Sequence, residues 1–223
     1  MITQLLLFLF PWKIRKFLLC RFLHFKIGEG SSIGYSIIRA RNVVIGQNSH
    51  IGHLNYCKDI DSLIIGDNSN IGNNNRITGF SVESPIVKRF GHFEHIIKRK
   101  CELIVGNQVG ITSNHYFDCN GGIYVGNYVQ IAGLNSIFMT HSIDLKENRQ
   151  DAEPIYIGNY TFIGARSTML KGSSIGNYCI IAAGAVVSKR FNDDYRLVGG
   201  VPAHDIKSVE GYKFFERKNG FVI

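Results

Sequence analysis

The chain has 223 residues, enough for one domain with appendages, and its 24 Gly against 4 Pro exclude a proline-rich linker or a disordered chain. Its net charge is +8 with a pI near 9.3, which suits an anionic partner such as a membrane surface, a nucleotide phosphate or an acidic glycan. No nucleic-acid-binding motif accompanies the charge, so nucleic acid is not expected as a partner; the five Cys form no C-x-x-C or even framework and read as free thiols in a reducing, cytoplasmic compartment.

Residues 1–26, MITQLLLFLFPWKIRKFLLCRFLHFK, hold five basic residues and no acid. The uncharged opening from Met1 to Trp12 is too short to span a bilayer and contains Pro11. No small-residue cleavage site follows it, which argues against a signal peptide. From Trp12 the sequence predicts a basic, apolar helix. Such a helix either packs on the first repeat or a neighbouring subunit, or makes a peripheral contact with a membrane.

Residues 27–190 repeat their apolar positions in sixes. The pattern is cleanest near the end, where Ile157, Ile163, Met169, Ile175, Ile181 and Val187 are six apart and Gly158, Gly164 and Gly176 each follow one of them. A helix would repeat every 3.6 residues and a half-buried strand every 2. A period of six predicts an all-β fold, a parallel β-helix in which each hexapeptide gives one strand and one corner, and three hexapeptides close a triangular coil. Upstream, Ile27, Ile33, Ile45 and Ile51 share a grid with Arg39 and Cys57 as poor members. Ile65, Ile71 and Ile77 resume it after a two-residue slip, and Val105, Ile111, Val125, Ile131 and Ile137 carry it on. Two stretches break the grid, about 79–102 and 138–154, and are expected to protrude as loops, where function on a repeat scaffold concentrates. Residues 191–223 are left as a C-terminal tail.

Several side chains along this scaffold invite chemistry. His50 and His53 can supply two ligands to zinc if a third comes from His92, His95 or His115. The first break carries Lys88, Arg89, Lys98, Arg99 and Lys100, a cationic rim suited to an anionic substrate. The run Ser113-Asn114-His115-Tyr116-Phe117-Asp118-Cys119-Asn120 is denser in polar groups than a prism wall needs, and the second break brings His141, Asp144 and Arg149. The spacing of His115 and His141 lets them fall on adjacent coils along one side.

The stretch THSIDLKENRQDAEPIYIGNYTFIGARSTMLKGSSIGNYCIIAAGAVVSKRFNDDYRLVGGVPAHDI resembles the catalytic half of hexapeptide-repeat acyltransferases of the galactoside, maltose and nodulation type. The shared features are a loop His, a PI-IG restart, IG…GA-VV-K and G-PA. NHYFDC and THSIDL…NRQ are similar, more particularly, to polysaccharide-associated O-acetyltransferases. The chain departs from the pattern in its basic N-terminal segment, in the insertion Phe80–Glu102, in Phe162 where Trp is frequent, and in Ala203-His204 where Ala-Lys or Ala-Arg is frequent. The resemblance implies a left-handed coil, a homotrimer, acetyl-CoA as acyl donor with no metal requirement, and a saccharide acceptor in surface-polysaccharide biosynthesis; a membrane contact through residues 1–26 would suit a lipid-linked acceptor.

Acyl transfer to a hydroxyl needs a base, and neutral imidazole can take the proton and return it to the leaving thiolate. The resemblance puts this role on His141, with Asp118 or Asp144 as the carboxylate that fixes its tautomer. His115 is the alternative base or an acceptor contact beside Asn114 and Arg149, and Cys119 would serve a covalent route. The positions that match the family's CoA contacts are Gly164, Ala165, Ala183, Gly184, Ser188 and Lys189, with Lys171 and Arg190 as further cations for the phosphates. Two other functions fit the same sequence: N-acetylation of an amino-sugar nucleotide, and a metal-binding β-helix without acyltransferase activity.

Overall fold

The structure, a computed structural model, describes residues 2–221. Its body is a left-handed parallel β-helix, a triangular prism whose three faces are ladders of short parallel strands. Each face stacks one inward column of side chains. The first runs Ile27, Ile45, Ile65, Val105, Val125, Ile157, Ile175, Phe191. The second runs Ile33, Ile51, Ile71, Ile111, Ile131, Ile163, Ile181, Val198. The third runs Ile38, Cys57, Ile77, Phe117, Phe138, Met169, Val187. Burying each aliphatic contributes about 1.5–3 kcal/mol, so the repeat is held by its core rather than by any one coil.

The first two columns follow the sequence grid as far as Ile175 and Ile181; the third departs from it twice. Ile38, not Arg39, points inward: it pairs with Cys57 only five residues after Ile33, and the register with the next strand shifts just beyond it, between Arg39 and Ala40. Arg39 instead pairs outside with Asp59 at 3.2 Å, and Cys57 is a fully buried member of the core. Farther on, the register slips between Ile131 and Leu134, so Phe138 takes the inward place and Ile137 is left 37% exposed. Phe138 stacks on Phe117 at 4.8 Å.

Corners between the first and second faces are held by side-chain amides. The Oδ1 of Asn107, Asn127, Asn159 and Asn177 each accepts the backbone N–H of the matching residue one coil earlier, at 2.7–2.9 Å. The glycines here are required sterically: a Cβ on Gly158 would lie 2.4 Å from the carbonyl oxygen of Gly176. Tyr128, Tyr160, Tyr178 and Tyr195 adopt left-handed backbone angles at these corners. Their rings stack in a ladder at 4.4–5.1 Å, which offsets the strain.

Both ends of the prism are closed. Helices α1 (Ile2–Leu7) and α2 (Trp12–Phe22) lie over the first coil and bury Leu19 against it. At the other end the parallel ladders run past residue 190 to Val198, and the chain turns back as the antiparallel strand Ala203–Ser208. A short 3-10 helix, Lys213–Glu216, sets Phe214 against Phe162 and Phe215 against Tyr178. The two stretches that break the grid leave the prism. The first carries α3 (Pro85–Phe90), and the second is a hairpin pairing His141–Asp144 with Arg149–Ala152; Ile137–Met139 remains a strand of the third face. All five cysteines are free thiols, and no helix among the described residues is long and apolar enough to cross a membrane.

Candidate active site

The third face brings strand Tyr116–Asp118 beside strand Ile137–Met139, with Asp118 opposite Met139. The chain then leaves the prism at Thr140. Its hydroxyl donates to the Asp118 carbonyl at 2.6 Å and accepts the Gly121 N–H at 2.8 Å, while its carbonyl accepts the Glu153 N–H at 2.9 Å. The base of the hairpin is therefore riveted to the coil below, and the next residue, His141, is set down on Asp118.

The Asp118 carboxylate is 1% exposed and fully engaged. Oδ2 is hydrogen-bonded to His141 Nδ1 and accepts the His141 backbone N–H at 3.3 Å. Oδ1 accepts from Asn120 Nδ2 at 2.6 Å and from the Asn120 N–H at 3.2 Å. An ionised carboxylate only accepts, so the imidazole proton sits on Nδ1 and the lone pair on Nε2. Nε2 makes no hydrogen bond to another described residue, and 28% of the side chain is open to solvent. The arrangement can hold a neutral imidazole in one tautomer with its basic nitrogen facing outward.

The first excursion braces this pair. Asn120 Oδ1 accepts the Phe80 N–H at 2.8 Å. Arg99 donates to the carbonyls of Asn120 and Phe80, both at 2.9 Å, and lies 4.5 Å over the Phe93 ring. Phe93 meets the His141 ring edge-on at 6.3 Å. Asp151 on the hairpin binds His95 at 3.2 Å and also pairs with Lys171, tying excursion, hairpin and prism together. A cleft of about 480 Å³ lies between the two excursions, lined by Phe90, His92, Phe93, His95, Ile143 and Arg149.

The remaining sequence candidates fall elsewhere. Asp144 sits at the hairpin tip, where its Oδ1 accepts the N–H groups of Lys146 and Glu147 at 3.1 and 3.2 Å, and it does not bond His141. His115 is buried at the opposite corner of the third face. Its Nδ1 accepts the Ser136 N–H at 3.1 Å and its Nε2 meets Thr112 Oγ1 at 2.9 Å. Burial lowers its pKa to about 4, so it is a neutral structural group with both nitrogens used. Asn114, beside it, bonds Asn74 at 2.6 Å, away from His141. Arg149 does face the cleft. Cys119 is fully buried and its thiol is pushed well above the usual range by that burial, which makes it unfit as a nucleophile.

The CoA candidates form two groups on opposite edges of the strand Val186–Val187. Gly164, Ala165, Ala183 and Gly184 share one corner, where Gly184 donates its N–H to the Ala165 carbonyl at 2.9 Å. Gly184 has φ +73° and a Cβ there would meet nothing within 4 Å, whereas one on Gly164 would strike Ala183. The wall at Gly184 is thus open to a ligand. Ser188 and Lys189 are exposed at the other corner, and Lys171 is occupied by Asp151.

The zinc candidates are dispersed. His50 Nδ1 meets Ser32 Oγ at 2.9 Å and His53 Nδ1 accepts the Tyr35 N–H at 3.1 Å. Among the described residues no three or more His, Cys, Asp or Glu side chains form a group that could hold a metal ion. The sequence missed the bracing roles of Asn120, Arg99, Phe93 and Thr140. The density of polar residues in 113–120 was the one signal of them.

Residues 154–189 match the family model described as bacterial transferase hexapeptide (six repeats). Among solved structures, a point mutant of AntD, an N-acyltransferase from Bacillus cereus, in complex with dTDP and coenzyme A, superposes with a TM-score of 0.52 at 16% identity, covering 86% of this chain and 87% of that one. A second AntD mutant, bound to dTDP-4-amino-4,6-dideoxyglucose and coenzyme A, gives 0.50 at 14% identity over 86% of each chain. A maltose O-acetyltransferase from Clostridium difficile 630 gives 0.45 at 16% identity over 93% and 82%. The chain carries bacterial-transferase hexapeptide repeats at 154–189 and shares the left-handed parallel β-helix fold of AntD along most of its length.

Proposed function

We propose that this chain transfers an acetyl group from acetyl-CoA to a hydroxyl of a saccharide, in the cytoplasm, during assembly of a surface polysaccharide. The observation that carries the reading is the Asp118–His141 pair, a buried carboxylate holding one imidazole nitrogen while the other faces outward. His141 Nε2 takes the acceptor hydroxyl's proton as its oxygen bonds to the thioester carbonyl carbon. The C–S bond then breaks, and the same imidazole returns the proton to the thiolate. The open, small-residue corner at Gly164, Ala165, Ala183 and Gly184 suits the thin pantetheine arm, and Ser188 and Lys189 suit the phosphate end. The cleft lined by Phe90, Phe93 and Arg149 suits a sugar ring, with apolar faces to stack on and a cation for an acidic substituent.

A homotrimer belongs to the same reading. Leu134, Ile137 and Met139 present exposed apolar side chains on or beside the third face, next to His141, and a second subunit there would complete the wall of the site.

The test is thiol release from acetyl-CoA against a panel of glycans and sugar nucleotides. His141→Ala is expected to lower turnover by about two to four orders of magnitude while acetyl-CoA binding stays near normal. Full activity in that variant would overturn the assignment of the base. An acetyl group found on nitrogen in the product would move the acceptor to the amino-sugar class.

A further inference from the structure

Beyond this reading, we infer that the helical cap over the first coil is a docking surface for an anionic lipid bilayer. Four of the cap's polar side chains turn inward and satisfy the open end of the prism. Gln4 bonds both the N–H and the carbonyl of Ile38, at 2.8 and 2.6 Å. Arg15, 5% exposed, donates to the carbonyls of Ile33 and Gly34 at 3.0 and 2.6 Å and lies among the rings of Phe8, Trp12 and Tyr35. Lys16 donates to the Gly28 carbonyl at 2.6 Å and Trp12 to that of Ser31 at 3.2 Å.

Leu7, Leu19 and Leu23 pack on the core, but many of the cap's large apolar side chains turn outward. Leu9 is 81% exposed, Phe17 65% and Phe22 66%, and Leu5, Leu6, Phe10 and Ile14 are exposed with them. Terminal caps of solenoids ordinarily carry a polar outer face, which keeps them soluble. Here Lys13, Ile14, Phe17 and Arg21 share the outward arc of α2, so apolar and cationic groups face the same way. No Asp or Glu occurs before Glu29.

Charge decides the occupant. A second copy docking cap to cap would set Lys13 and Arg21 against their own kind with no acid on either side. Anionic headgroups complement the cations, while Leu9, Phe17 and Phe22 enter the acyl boundary. His141 stands four strand spacings along the third face from Ile38, about 19 Å at ~4.8 Å per strand. A docked cap therefore leaves the dyad in water, above the headgroups, and membrane binding is separable from chemistry.

The experiment is co-sedimentation of the full chain with vesicles of phosphatidylcholine alone or mixed equally with phosphatidylglycerol. The wild type should pellet with the anionic vesicles at low salt, and its binding should fall about tenfold or more at roughly 0.5 M salt or on neutral vesicles. Leu9→Ser with Phe17→Ser, and separately Lys13→Glu with Arg21→Glu, should each lower it by a similar factor, with thermal melting unchanged because all four side chains are exposed. Equal partition of the wild type and both variants, or no preference for anionic vesicles, would overturn the inference. So would a larger assembly in light scattering that Phe17→Ser dissolves without any vesicle binding, which would give the surface to a second copy. Failure of the acetyl-transfer reading would leave these readouts unchanged.

Discussion

Asn120 does not touch His141 Nε2, the nitrogen proposed to take the proton; its Nδ2 lies 3.2 Å from Nδ1, it holds Asp118 Oδ1 through two bonds, and it is itself fixed by Phe80 and Arg99. It is a positioning residue. Asn120→Ala removes the side-chain bond to Asp118, worth about 1.5 kcal/mol to a charged group, and is expected to lower kcat about tenfold with little change in the KM for acetyl-CoA. Steady-state kinetics check it, and rescue by Asn120→Ser rather than by Asn120→Leu would separate hydrogen bonding from bulk. His115 yields a different prediction. Its folded pKa of about 4 lies below the ordinary 6.5, so below pH ~6.5 the unfolded chain binds a proton that the native chain refuses. Stability is therefore present above pH ~6.5 and is lost as pH falls toward about 4, by up to roughly 3 kcal/mol. Melting curves across that window should slope less for His115→Gln than for the wild type. The sequence could bring out both histidines, His115 and His141, and both carboxylates, Asp118 and Asp144, but not which pair meets. That depends on Thr140 pinning the hairpin's base, and Asp144 is spent on its own turn.

At the scale of the strand, the six-residue repeat made two of the three faces legible from the sequence, because every coil up to Ile181 keeps the same length between their inward residues. The third face was legible only in part: Cys57, Ile77, Met169 and Val187 sit inward where the grid puts them, but one residue added between Ile131 and Leu134 moves the inward place from Ile137 to Phe138 and leaves no mark in composition. Both residues are large and apolar, so only the register tells them apart. The difference can be measured. Phe138→Ala empties a fully buried place stacked on Phe117 and should cost about 3–5 kcal/mol, lowering the Tm by roughly 6–20 °C for a domain of this size. Ile137→Ala, at a partly exposed place, should cost less than about 1 kcal/mol. Scanning calorimetry of the two variants checks the assignment, and the reverse order would restore the unshifted grid. The first excursion was legible only as a break in the repeat with a cationic rim. Arg99 turned out to be interior to that excursion, satisfying two carbonyls and a ring, because a long loop must find partners for its own backbone.

For the whole molecule, the outer sides of the faces decide how copies meet. The second face is covered on its later coils by the C-terminal 3-10 helix and its aromatic residues. The first carries the polar cleft around Tyr124, Tyr156 and Arg190. The third leaves Ile137 and Met139 exposed, with Leu134 at its edge, in the row where Met139 stands opposite Asp118 and leads into His141. An apolar patch against a differing patch on the next copy makes a heterologous contact, and three such contacts close a ring around an axis. The expected species in light scattering is a trimer. Leu134→Lys with Ile137→Glu would place charges in the contact at positions that are not paired with Asp118, Asn120 or His141, and should shift the protein to monomers at micromolar concentration. If the neighbouring copy supplies the missing wall of the site, turnover falls in step with the loss of trimer and recovers as protein concentration is raised. Monomers of the wild type with full turnover would rule that wall out, and the site between the two excursions would then be complete within one chain.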